Sequence, residues 1–98
     1  MTSDDEDGKA AAAVARRALN AALGARVREV RTRLGVGQAD CARGAGIDVS
    51  SMFRIEKGGQ NLTVDTLARL ALSLGVPMAE LVSGVSPDPA LLTPRTRA

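Results

Sequence analysis

Within the segment 38-QADCARGAGIDVSSMFRIEKG-58, the polar side chains able to do chemistry gather on one side of a short predicted helix. Met52 and Ile55 form an i, i+3 inward pair, and Ser50, Phe53, Arg54 and Lys57 project nearly opposite. An exposed face holding a hydroxyl, a guanidinium and an apolar ring suits base edges, thymine methyls and phosphates. Two short helices joined by a tight glycine-containing turn are the outline of a helix-turn-helix. The second helix must bury only a narrow side, so that the other can enter a major groove about 12 Å wide.

Other chemistries lack their residues. The 98-residue chain has no His, a single Cys (Cys41) and a single aromatic (Phe53). One thiol cannot form an intramolecular disulfide, and a His/Cys zinc cage needs about four ligands. Imidazole-dependent nucleophilic triads and dyads are likewise excluded, and no pair of groups suits acid–base work. The expectation is a non-enzyme with no catalytic residue, metal or cofactor. A stacking platform for single strands or RNA needs several aromatics. At the slot of Cys41, a small buried hydrophobe fits better than a redox sensor, which needs an exposed, low-pKa thiol.

The formal charge of +2 hides an asymmetry. Residues 1–8 carry four acids and no base, a net −4. Residues 9–57 carry ten bases against four acids, a net +6, and residues 58–98 balance at three against three. A polyanion partner fits that basic half. The Ala-rich stretch 10–23 is interrupted by Arg16, Arg17 and Asn20, and acids precede it where a secretory signal would put bases. A cytoplasmic protein without a membrane segment is therefore expected.

The elements that must position the outward residues are all helical. Residues 1–8 are small and acidic and read as a disordered tail. Leu19, Leu23, Val27, Val30 and Leu34 recur at helical spacing, which favours one long helix over about 10–34. A break at Gly24 is the alternative. A second helix, about 38–44, turns Cys41, Ala42 and Ala45 inward, and Asp48 is a suitable N-cap for a third over about 49–56. Thr63 caps a fourth, about 64–74, ended by Gly75, and Pro77 opens a short fifth over about 77–83. The sequence divides into the acidic tail 1–8, an Ala-rich helical extension 9–23, a domain at 24–83, and a Pro-containing tail 84–98 with Leu91–Leu92 as a docking point.

Residues 24–82 resemble the lambda-repressor-like (Xre/Cro-type) helix-turn-helix family. The resemblance rests on R-x-x-R at Arg28 and Arg31, G-x-x-Q-x-x-x-A ending on Gln38 and Ala42, and Gly46. It continues through I-E-x-G at Ile55–Gly58, T-L at Thr66–Leu67 and L-G-V-x-x-x-x-L at Leu74–Leu81. It implies a five-helix DNA-binding domain, here with an N-terminally extended first helix, acting as a homodimeric transcriptional regulator on a palindromic operator. By the same resemblance Val49, Ser50 and Arg54 match base-reading positions, with Phe53 beside them. Phe53 either touches a thymine methyl or packs against another chain or the N-terminal helix. Gln38 matches an amide that braces phosphate or the reading side chains, while Ser51, Lys57, Asn61 and Arg43 are phosphate candidates. Arg31 and Glu56 match a structural ion pair, and Val76, Met78, Leu81 and Val82 match the dimer interface.

The sequence departs from the family at Gly58–Thr63, where Leu62 stands in place of a frequent proline and no Lys or Arg is present. Three further roles share the fold: a toxin's DNA-binding antitoxin, a restriction–modification controller, or a protein-interaction adaptor that no longer meets DNA. The NLT motif at Asn61–Thr63 resembles the controllers.

Overall fold

In a computed structural model, which describes residues 2–93, helix α1 runs unbroken from Thr2 to Arg33. Its 32 residues span about 48 Å at 1.5 Å per residue and account for the longest dimension of the molecule, 51 Å. Four shorter helices follow: α2 (Gln38–Ala45), α3 (Val49–Glu56), α4 (Val64–Leu74) and α5 (Met78–Val82). A single 3-10 turn, Pro89–Leu92, comes after them, and no strand occurs among the described residues. None of these helices is long and apolar enough to cross a membrane.

The core lies where the C-terminal half of α1 meets the other four helices. Val27, Val30, Cys41, Met52, Ile55, Leu70 and Leu81 are fully buried there. Thr63 caps α4 as expected, its hydroxyl accepting from the Thr66 N–H at 3.0 Å. Burial pushes the Cys41 thiol up from its ordinary range, so it stays neutral as a small core hydrophobe.

The first helix differs from the expectation at both ends. Helix replaces the expected disorder from Thr2 onward, because the acidic run falls at the helix N-terminus, where the macrodipole favours negative charge. At the other end α1 stops at Arg33, and Leu34 leaves the apolar stripe with 44% of its surface exposed.

Continuity through Gly24 has a packing cause. A Cβ at Gly24 would overlap the carbonyl oxygen of Ile55, and one at Gly58 would lie 2.7 Å from the Ala21 Cα. Gly58 also sits at φ +75°, in the left-handed region that favours glycine. The two backbones thus cross with no side chain between them, which the wheel pattern of α1 did not reveal.

The C-terminal segment is a strap rather than a free tail as far as residue 93. Asp88 caps the 3-10 turn by accepting from the Ala90 N–H at 2.8 Å, and the turn packs on the extension of α1. Thr93 lies beside Gly8, while Ala12 and Ala15 are buried. Leu91 is half-buried but Leu92 is 84% exposed, so only the first of the expected pair docks. Residues 94–98 lie outside the described part.

Candidate nucleic-acid interface

Helix α3 is held from behind and left open in front. Met52 and Ile55 sit in the core, whereas Val49 and Phe53 are half-exposed and Ser50 and Arg54 lie on the surface. Asp48 occupies the N-cap position, but its side chain makes no capping bond. The start of α3 is fixed instead by the Met52 N–H donating to the Asp48 carbonyl at 3.0 Å.

The far end of α3 is pinned by a buried polar network. Arg31 of α1 donates through Nε and Nη2 to the two Glu56 oxygens at 2.6 and 2.9 Å, a bidentate pair. Its Nη1 donates to the Val36 carbonyl at 2.8 Å. Hydrogen bonding to Glu56 raises the Arg31 pKa further, against the opposing effect of burial. Gln38 donates from Nε2 to Glu56 Oε1 at 2.9 Å. One carboxylate therefore ties α1, α2 and α3 together. The Gln38 amide keeps a second N–H for an outside acceptor.

In front of this network Arg28, Arg31, Gln38, Phe53, Glu56 and Lys57 line an open groove of about 400 Å³. Lys57 Nζ lies 4.7 Å from the Phe53 ring centroid, a cation–π arrangement that keeps the ring at the groove edge. Arg54 is braced on two sides: Nε donates to Gln60 Oε1 at 3.1 Å and Nη2 to Ser51 Oγ at 3.3 Å. These bonds leave Nη1 and the second Nη2 hydrogen for an external acceptor pair. Half-buried Ser51 thus supports Arg54 in addition to its expected phosphate role. Asn61 Oδ1 accepts from Asn20 Nδ2 at 2.7 Å, fastening the loop after α3 to α1. Both Arg43 Nη atoms donate to Asp40 Oδ1 at 2.8 and 2.9 Å, which compensates its charge locally.

Of the residues expected at the dimer interface, Leu81 does not reach the surface. Leu81 is fully buried in the core against expectation, because α5 needs an apolar anchor between α1 and α4. Val76 is partly buried against the same core, whereas Met78 and Val82 are about 40% exposed. Arg26 locks α5 to α1 through the Glu80 carbonyl at 2.7 Å and its carboxylate at 3.3 Å. The Asn20–Asn61, Arg26–Glu80 and Arg54–Gln60 contacts carry no spacing signal in the sequence, since each forms only through the tertiary fold.

A family model for helix-turn-helix domains matches residues 22–83, more than half of the chain. The chain belongs to the Xre-like helix-turn-helix family. It is similar to the cryptic phage CTXphi transcriptional repressor RstR of Vibrio cholerae, at 36% identity over 58 residues. That match covers 59% of this chain and 52% of the repressor, so the chain spans about half the length of the curated relative. Among solved structures it resembles the restriction-modification controller protein C.AhdI of Aeromonas hydrophila at 33% identity and a TM-score of 0.61. The likeness covers 62% of this chain and 92% of the controller. It also resembles the clp gene regulator ClgR of C. glutamicum, at 26% identity and a TM-score of 0.63 over 65% and 83% of the two chains. The helix-turn-helix match begins inside α1, leaving the extension of that helix and the strap outside the family domain.

Proposed function

We propose that this helix-turn-helix protein is a sequence-specific double-stranded DNA-binding transcriptional regulator, acting as a homodimeric repressor on a palindromic operator. The observation that carries it is α3: anchored by Met52, Ile55 and the Arg31–Glu56–Gln38 network, it presents Val49, Ser50, Phe53 and Arg54 outward. The likeness to a phage repressor supports the sign of regulation. Two copies place their α3 helices about 34 Å apart, one DNA turn, so a palindrome reflects the dimer. Exposed Met78 and Val82, with Val76 at their edge, supply the apolar contact between copies. Arg54 reads guanine through its free Nη edge, while Gln38, Lys57 and Asn61 donate to phosphates.

Selecting bound duplexes from a random pool tests this directly, giving the site, its symmetry and its half-site spacing. Arg54→Ala weakens specific binding by about 1–3 kcal/mol, whereas Gln38→Ala weakens binding to all sequences. An Arg54→Ala protein indistinguishable from wild type on the selected site would remove Arg54 as the reader. Sedimentation of Met78→Asp tests the dimer, which should shift toward monomer.

The NLT motif at Asn61–Thr63 and the likeness covering 92% of a controller protein favour a second reading, control of a restriction–modification operon. Linkage to a methylase and nuclease gene pair would decide for it.

A further inference from the structure

The cations on the surface fall into two groups. Arg26, Arg43 and Arg69 are each paired with a carboxylate: Glu29 and Glu80, Asp40, and Asp65 respectively. Among the described residues the other surface cations, Arg17, Arg28 and Lys57 with them, have no carboxylate within 4 Å. Arg28 and Lys57 line the groove beside the recognition helix α3. Arg17 lies outside the family domain, on the extension of α1, yet the geometry of the helix crossing assigns it to the same side.

Ala21 and Gly24 face the end of α3 and its following loop, because their backbone abuts Gly58 and the Ile55 carbonyl. Asn20 holds Asn61 of that loop. Arg17 is three residues before Asn20, four before Ala21 and seven before Gly24, so helical geometry puts it one turn onward along that face. It is exposed there. Arg28 is four residues beyond Gly24 on the same stripe, so Arg17 and Arg28 flank the end of α3 about 16 Å apart along α1. The loop 58–63 between them contains no Lys or Arg.

We infer that Arg17 is a phosphate-binding residue on duplex DNA, replacing from α1 the cation that the loop after α3 lacks. The extension thereby lengthens the footprint past the family domain onto flanking backbone. A strand presents one phosphate per about 3.4 Å of axis, so a ridge of this length spans several. This rests on the DNA-binding reading above. A continuous helix also presents the guanidinium with less ordering entropy to lose than a disordered arm would have.

The test uses the full chain, Arg17→Gln, and Arg16→Gln as a control that removes the same charge from the same turn. Arg16 points about 100° away, where it lines a separate cleft with Lys9, Ala12 and Ala13. Circular dichroism verifies that both variants remain helical. On a duplex extending several base pairs beyond the selected site, Arg17→Gln should lower affinity about threefold and flatten the log–log salt slope by about 0.9. The loss should be the same for operator and non-operator duplexes, and Arg16→Gln should retain the wild-type slope. Equal losses in the two variants would reduce the effect to net charge and overturn the assignment. Wild-type binding with an unchanged Arg17→Gln slope overturns this inference alone. A wild-type protein that binds no duplex at low salt overturns the DNA-binding reading and this inference with it.

Discussion

Two parts of the molecule use the same long helix in opposite ways. From Ala21 onward, α1 is pressed against α3 so closely that Gly24 leaves no room for a methyl, and Arg31 is sunk into a three-helix polar network. Toward its N-terminus the same helix is covered, among the described residues, by the short strap around 89–93, with small Ala12 and Ala15 buried and Val14 largely exposed. The first part is tightly interlocked, so a shift of α1 there would displace α3. The second is held by light, mostly aliphatic packing and should tolerate substitution better.

The sharpest way to break the contrast is Glu56→Ala. It leaves the buried Arg31 guanidinium without its counter-charge and frees Gln38, so a loss of about 3–5 kcal/mol is expected in urea unfolding. A loss below about 1 kcal/mol would mean that water or Val36 alone satisfies Arg31. Gly24→Ala comes next. Alanine gains about 1 kcal/mol of helix propensity, but overlap with a backbone carbonyl should outweigh it and destabilise by about 1–3 kcal/mol net. Gly8→Ala on the extension meets only the Thr93 methyl, a side-chain tip that can turn aside. It should stay within about 0.5 kcal/mol of wild type or improve on it. Equal penalties at the two glycines would erase the distinction between the regions.

Smaller effects sharpen the comparison within the interlocked part. Gln60→Ala removes one brace from Arg54 and, on the base-reading role proposed for Arg54, should reduce discrimination at that base pair by about 0.5–1.5 kcal/mol. Non-operator affinity and fold stability should barely change, so a selectivity profile identical to wild type would show that the brace is idle. The smallest effect concerns Cys41. Burial raises its thiol pKa, so native protein should resist alkylation at pH 8 and react only on unfolding. The sign is that of an acid kept protonated by folding: this contribution is intact below the ordinary thiol pKa of about 8.5 and is lost as pH climbs through the raised value.

Legibility from sequence follows the range of the interactions. α2, α3 and α4 are readable nearly to the residue because their cues are local: Gly46, Thr63, Gly75 and apolar positions three or four apart. The outward set on α3 is readable for the same reason, as the inward pair Met52 and Ile55 dictates what remains outside. Leu81 misleads because a short helix shows apolar residues without showing which side the core will claim. The 1–8 segment misleads because acid-rich composition resembles disorder, although the same residues suit a helix N-terminus. Asn20–Asn61, Arg26–Glu80 and the Arg54–Gln60 brace depend on where loops land, which no periodicity encodes.

The side of α3 that holds it in place shares no residue with Val49, Ser50, Phe53 and Arg54. Carriage and legend are separate, so on the proposed DNA-reading role the four outward positions could be rewritten, redirecting the protein to a new address in a genome, while the Glu56 hub keeps the scaffold standing.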